Sequence, residues 1–441
     1  MWKGNIPPNL LEREILEELK KDLEQPEITL LLGARQVGKT SLMFLLLDFL
    51  SSKIPAQQIF YFDLENIIEA ERLNRIKNFE KFIQLLKDEG ADFSKRIYVF
   101  IDEIQYLDYP SSFLKYLYDH YKTQIKFVVS GSSSLEIKKK FTDRLTGRVH
   151  LFLIQTLTFW EYLYFLGEEN LAQKKKEVNL FRILNEKKFS VPEWFENLSS
   201  SFSEQFERFV VFGGYPGVII KESSQWARDL MGIYSLYVRK DIKDLAEIED
   251  IRGFNNLVGL LAWQIGNLIS ESELSRSSGL SRPTLKKYLS LLENTFVLTL
   301  LRPFYLNPRL EYSKMPKIYF LDTGLRNATI NDFKEISQRG DKGQLIENAV
   351  FSQLNKIKPE FSEIHFWRTQ TKAEVDFVIK SQELLPIEVK YQFFKKPLLT
   401  SGLKSFLKEY QPQKAVIVNK NLWAKTKFQK TEVYFLPPWA L

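Results

Sequence analysis

The 441-residue sequence contains no cysteine and only three histidines. The first absence excludes disulfides and thiolate metal sites, and it suits a reducing cytoplasm, the expected compartment. The second argues against an imidazole-built zinc site. No apolar run approaches the roughly 18 residues of a membrane span. The opening stretch MWKGNIPPNLLEREILEELKKDLEQ lacks the apolar core of a secretion signal, so no membrane partner is expected. What is present describes a soluble globular protein able to bury sizeable cores: 44% hydrophobic residues at a mean hydropathy of −0.24. The length is too great for one ordinary domain. A formal charge of +7 leans towards polyanionic partners, but it is modest, so the placement of the basic residues matters more than their sum.

The stretch EITLLLGARQVGKTSLMFLLLDFL reads as an apolar strand, a glycine-containing loop and an apolar helix. Gly33, Gly38, Lys39 and Thr40, followed by Ser41, match the phosphate-binding pattern G-x-x-x-x-G-K-S/T. Glycines let successive backbone N–H groups curl round a phosphate, and the helix N-terminus adds its positive end. Lys39 is placed to neutralise the β and γ oxygens of ATP, and Thr40 to offer a hydroxyl to Mg²⁺. A second element follows in RIYVFIDEIQYL. There a buried strand from Ile97 to Ile101 ends in Asp102, placed for the Mg²⁺ shell, and Glu103, placed to deprotonate the attacking water. Further on, IKFVVSGSSSLEI ends in hydroxyls. Ser130 or Ser132 is a candidate γ-phosphate sensor, with a helix-capping serine turn as the equal alternative. Arg144 and Arg148 precede another strand; one is a candidate arginine finger for a neighbour's site, which implies a homo-oligomer, and a structural ion pair is the alternative.

The motifs LLGARQVGKT, FIDEIQ, SGSSSLEI, LTGRV and LTFWEYL together resemble the prokaryotic AAA-type ATPases that carry a C-terminal domain of unknown function. The resemblance continues through FGGYPGV, YVRKDI, ENTFVLTLLRPF and IENAVFSQL, and so covers nearly the whole chain. It implies a parallel sheet with helices on both faces and nucleotide at the C-terminal edge of the strands. The serines at the sensor position depart from the asparagine that often serves there.

The middle of the chain, from about residue 167 to 205, is rich in lysine and glutamate and is expected to be a solvated helical insertion or linker. FGGYPGV, with three glycines and a proline, is expected to be a tight turn, either an interdomain elbow or a wall of the nucleotide pocket. In LISESELSRSSGLSRPTLKKYLSLLENTFVLTLLRPF a short helix, a turn at Gly279 and Leu280, and a second helix capped by Ser281 are followed by strands. This is the pattern of a winged helix-turn-helix. Leu285, Leu289 and Leu292 line the buried face of the second helix, leaving Arg282, Lys286 and Lys287 outward, where they suit DNA.

The last motif is AEVDFVIKSQELLPIEVKY, two short strands joined by a turn. Glu374, Asp376, Glu388 and Lys390 are charged inside otherwise apolar strands, which requires a wet face or a metal. With Glu347 on the helix GQLIENAVFSQL, the set resembles the PD-(D/E)xK core of restriction endonucleases and archaeal Holliday-junction resolvases. That resemblance implies Mg²⁺ held by Glu347, Asp376 and Glu388, with Lys390 steadying the phosphate. The expected organisation is an α/β multidomain chain. An AAA-type P-loop domain spans 1–165, a helical lid or linker 166–250, a winged helix 251–318 and a restriction-endonuclease-like domain 319–441. The expected function is ATP hydrolysis coupled to action on DNA through the winged helix and a Mg²⁺-dependent nuclease-like domain in which Asp376, Glu388 and Lys390 are the catalytic candidates. The alternative is a nucleotide-dependent switch or scaffold whose nuclease-like domain is inert.

Overall fold

The computed structural model describes residues 4, 6–132, 145–241, 248 and 250–441. Two compact units emerge: Met1–Gln155 with Asn294–Phe296, and Thr156–Glu293 with Val297–Leu441. The first is built on a parallel sheet of β1 (Ile28–Leu32), β2 (Ile59–Asp63), β3 (Ile97–Asp102), β4 (Ile125–Gly131) and β5 (Val149–Leu153). The order in space is β2-β3-β4-β1-β5. β1 and β4 are buried along their whole length, as continuous apolar runs covered on both faces must be. β5, one of the two edge strands, exposes Leu151 and Leu153. Phe60, Phe62, Phe82, Val99, Ile101, Phe113, Leu117 and Val129 form the core on one side. Because the strands run the same way, Gly33, Asp102 and Gly131 follow or end their strands at one common edge, where ligands bind in such sheets.

The second unit begins with helices, including Phe159–Phe165, Glu169–Glu177 and Phe195–Phe212. The stretch expected as a solvated helical insertion, about 167–205, is helical but packed, and its last helix runs on beyond it to Phe212. Phe202, Phe206 and Phe209 are buried, and Phe202 stacks on Trp439 at 4.6 Å between ring centroids. Even Lys175, inside the lysine-rich run, is buried and donates to the Leu441 carbonyl at 2.6 Å. The spacing of these phenylalanines is helical, so one face is apolar beneath a charge-rich composition.

The FGGYPGV turn packs inside this same unit, against the start of helix Thr323–Ile330. Gly213 has a φ of 70°, and a Cβ on Gly324 would lie 2.1 Å from the Phe212 carbonyl oxygen. Asp322 fastens the joint, accepting from the Gly214 N–H at 2.8 Å and from the Leu325 N–H at 3.0 Å as the cap of helix Thr323–Ile330.

Helix Glu271–Ser278, a left-handed Gly279 and helix Arg282–Asn294 follow in the expected order. After them β6 (Leu298–Leu301) and β7 (Lys317–Phe320) pair antiparallel, and Leu268 bridges to Lys317. The last sheet is mixed, built from β8 (Glu363–Arg368), β9 (Glu374–Lys380), β10 (Leu384–Lys390), β11 (Lys414–Asn419), β12 (Ala424–Phe428) and β13 (Thr431–Leu436). Its order is β12-β13-β11-β10-β9-β8. β9 and β10 form the antiparallel pair read from the sequence, and β10 runs parallel to β11.

Asp322→Ala removes the acceptor for two buried N–H groups and is expected to destabilise the second unit by about 2 kcal/mol. Trp160, Trp194, Trp226, Trp263, Trp367, Trp423 and Trp439 all lie in that unit, so tryptophan fluorescence in a urea titration reads it directly. An unchanged midpoint would show that the joint is not held by Asp322.

Candidate functional site

At the edge of the parallel sheet the loop between β1 and helix Lys39–Ser51 has the curvature that its glycines permit. Gly38 has a φ of 95°, and a Cβ on Gly33 would lie 2.1 Å from the Ile154 carbonyl oxygen. Gly33 is therefore required by the close approach of the chain after β5. Lys39 is buried; its Nζ donates to the carbonyls of Gly33 at 3.1 Å and Ala34 at 3.0 Å and lies 3.9 Å from Glu103 Oε1. Burial pulls its pKa below the ordinary lysine value, opposed by the charges of Glu103 and Asp102. Ser41, half-buried, is in the first turn of the helix.

Asp102, at the end of β3, is held by three hydroxyls. Thr40 Oγ1 donates to its Oδ2 at 2.7 Å, the Tyr61 hydroxyl to the same oxygen at 3.1 Å, and Ser130 to Oδ1. Burial and then the Asp102 charge push the Tyr61 phenol well above its ordinary range, keeping it a donor. The hydroxyl and carboxylate of Thr40 and Asp102 fit a Mg²⁺ ion that takes its remaining ligands from phosphate and water. Glu103 adopts a φ of 54°, an uncommon conformation for a residue with a side chain. Its N–H donates to Ser130 Oγ at 2.9 Å, and its Oε2 accepts from Gln105, which also reaches Ser132 at 3.0 Å. Sequence reasoning misses Tyr61 and Gln105. Gln105, two residues from Glu103, offered a signal; Tyr61, from the neighbouring strand, offered none.

The second unit gathers Glu347, Asp376, Glu388 and Lys390 on helix Lys342–Ile357, β9 and β10. A wet face does not account for Asp376, 7% exposed, or Glu388, 3%, whereas Glu347 and Lys390 are partly exposed. Asp376 Oδ2 accepts from the Val389 N–H at 2.7 Å. Glu388 meets Lys390 Nζ at 3.0 Å and accepts from the Thr400 hydroxyl. Glu347 Oε1 accepts from the Tyr319 hydroxyl at 2.5 Å and lies 3.4 Å from Lys317 Nζ. Lys317 is itself 2.5 Å from Glu374 Oε1, whose other oxygen meets Arg368 at 2.9 Å. Burial and then the neighbouring Asp376 charge push the Glu347 carboxyl up to about 7. Burial also raises Asp376 and Glu388. For Lys317 burial works the other way, but the charges of Glu347, Asp376 and Glu374 outweigh it and hold the ammonium above its ordinary value.

Among the described residues no three carboxylate or imidazole side chains form a group able to hold one ion. The Mg²⁺ expected between Glu347, Asp376 and Glu388 therefore finds no such group here, and ammonium, hydroxyl or backbone N–H groups engage Glu347 Oε1, Asp376 Oδ2 and both Glu388 oxygens. Lys317 and Tyr319 carry a sequence signal of their own: they stand two apart on an apolar strand, the same pattern that marks Glu388 and Lys390.

Residues 25–163 match a family model described as AAA domain. The first unit is an AAA-type ATP-binding domain. Residues 203–335 and 342–438 match two models, each described as a domain of unknown function (DUF8612 and DUF4143). An uncharacterized protein of Haemophilus influenzae is 24% identical over 440 residues, covering 98% of this chain and 99% of its own. An uncharacterized protein of Methanocaldococcus jannaschii is 26% identical over 384 residues, covering 83% and 75%. Among solved structures, a Walker-type ATPase of Pyrococcus abyssi is 19% identical, covers 73% of this chain and 96% of its own, and gives a TM-score of 0.42. The ORC1 protein of Aeropyrum pernix, solved in complex with DNA, is 12% identical, covers 74% and 95%, and gives 0.34.

Within the AAA domain the structure gives partners to two further candidates, Ser130 and Arg148. Ser130 is fully buried and its hydroxyl bonds to Asp102 and to the Glu103 N–H, an arrangement that positions both acids. Arg148 pairs with Asp119 of the same chain at 2.7 and 3.3 Å, the ion-pair arrangement that the sequence left as the alternative. Arg144 lies outside the described residues. No helix among the described residues is long and apolar enough to cross a membrane. Ser130→Ala is expected to keep ATP affinity within a few-fold while lowering turnover by about 10- to 100-fold, as loss of an outer-shell partner does. Equal losses in affinity and turnover would return Ser130 to direct phosphate contact.

Proposed function

We propose that the chain hydrolyses ATP with Mg²⁺ at the loop Gly33–Thr40 and couples that turnover to DNA. The observation that carries the first half is the network joining Thr40, Asp102, Ser130 and Glu103 beside the buried Lys39. In it Lys39 leaves the Gly33 and Ala34 carbonyls for the β and γ oxygens. Mg²⁺, when bound beside Thr40 and Asp102, spreads the phosphate charge. Glu103, held by Ser130 and Gln105, takes the proton of the attacking water.

The second half rests on helix Arg282–Asn294. Its Leu285, Leu289 and Leu292 are buried, while Arg282, Lys286 and Lys287 are exposed. Together with the β6–β7 ribbon, this supports reading the segment as a winged helix that lays its second helix in a groove of DNA. Residues 319–441 are read as a relative of the PD-(D/E)xK core. The reading in which that domain holds a nucleic acid or protein without cutting is favoured by the lysine-paired state of its acids.

Lys39→Ala is expected to abolish ATP binding, whereas Glu103→Gln should bind ATP and turn it over about 100-fold more slowly or worse. Binding by equilibrium dialysis and phosphate release measure the two; loss of binding in both variants contradicts the assigned roles. Lys286→Ala with Lys287→Ala should weaken DNA binding and flatten its dependence on log salt by about one unit for each phosphate that the two lysines no longer neutralise. An unchanged slope would make the helix a protein-docking surface.

A further inference from the structure

We propose that the carboxylate cluster of the second unit is neutralised by a resident lysine, Lys317, which occupies the place a divalent cation would take, so that the cluster binds no metal. Lys317 reaches it from β7, a strand that precedes the helix carrying Glu347. It is 2% exposed and spans Glu347 at 3.4 Å and Glu374 at 2.5 Å. A buried ammonium in that position does electrostatically what a bound cation does. It cancels the repulsion among acids that share one low-dielectric site, and it leaves their oxygens turned towards N–H groups.

The rest of the cluster is consistent with this. Glu347, Glu374, Asp376 and Glu388 face Lys317, Lys390 and Arg368. Three cations of the chain's own thus stand against four acids, with Lys317 the most deeply buried of the three. A divalent ion added to the cluster would meet the fixed charge of Lys317 at close range and would have to displace the Tyr319 and Thr400 hydroxyls from Glu347 and Glu388. Gly266 packs closely on another side, where a Cβ would come within 3.2 Å of Glu347 Oε1.

The test is Mn²⁺ binding to the full chain without nucleotide, followed by calorimetry and by water-proton relaxation; this keeps it independent of ATP turnover and of DNA affinity. Every protein in the test carries Asp102→Asn, which removes the carboxylate of the nucleotide site; with Lys317 in place it is expected to show no saturable Mn²⁺ site and the same melting temperature in Mn²⁺ and in EDTA. Lys317→Met is expected to gain a site, with affinity raised about tenfold or more over the protein that keeps Lys317, and to lose it again with Asp376→Asn. Lys317→Met also leaves buried acids without their cation. If it does not fold, Lys317→Met with Glu374→Gln, which removes an acid together with the lysine, is used in its place. Mn²⁺ binding with Lys317 in place that disappears in Asp376→Asn would overturn the proposal. So would a folded lysine-less variant that gains no Mn²⁺ affinity.

Discussion

A charged side chain in a sheet covered on both faces must find its counter-charge inside the protein, and this constraint shapes both units. Leaving an ion unpaired there costs several kcal/mol, more than any neighbouring contact returns. Asp102 meets the requirement with three hydroxyls, Glu388 with a lysine and a threonine, and Glu347 with a lysine and a tyrosine. At the base of the parallel sheet the fully buried Lys126 does the same with Asp22 at 3.1 Å. What differs is whether the compensating groups are neutral or charged. Around Asp102 they are hydroxyls, which leave the acid's charge available to a cation. Around Glu347 and Glu388 they include ammonium groups, which consume it.

That difference separates the two sites functionally. The nucleotide site keeps one lysine folded back on the carbonyls of Gly33 and Ala34, a store of charge that an arriving triphosphate can draw out. Glu103 is held in a left-handed conformation by its neighbours, so its carboxylate is aimed before substrate arrives, which is how preorganised sites avoid reorganisation at the moment of reaction. The acids of the second unit have no such reserve, because Lys317 and Lys390 already sit on them.

Much of this is legible in the sequence because local chemistry dictates it. The phosphate-binding loop, the acids closing β3, the turn at Gly279 and the β9–β10 pair each follow from a pattern confined to a few neighbouring residues. Sequence reasoning fails where partners are remote. Lys317 joins Glu347 and Glu374 from strands and a helix that only the fold brings together. Ser130 resembles a sensor because its place after a buried strand is visible, whereas its bond to Asp102 is not. The lysine-rich middle misleads because composition hides the helical spacing of Phe202, Phe206 and Phe209.

The account's central claim is that the β1–β3–β4 edge is prepared for Mg²⁺ and ATP before either arrives. A structure of the full chain with a non-hydrolysable ATP analogue and Mg²⁺ tests it most directly. The account predicts that Lys39 Nζ leaves the Gly33 and Ala34 carbonyls for the β and γ oxygens, while Ser130 keeps its bonds to Asp102 and the Glu103 N–H. A bound nucleotide with Lys39 still on those carbonyls, or with Ser130 swung onto the γ-phosphate, would contradict it.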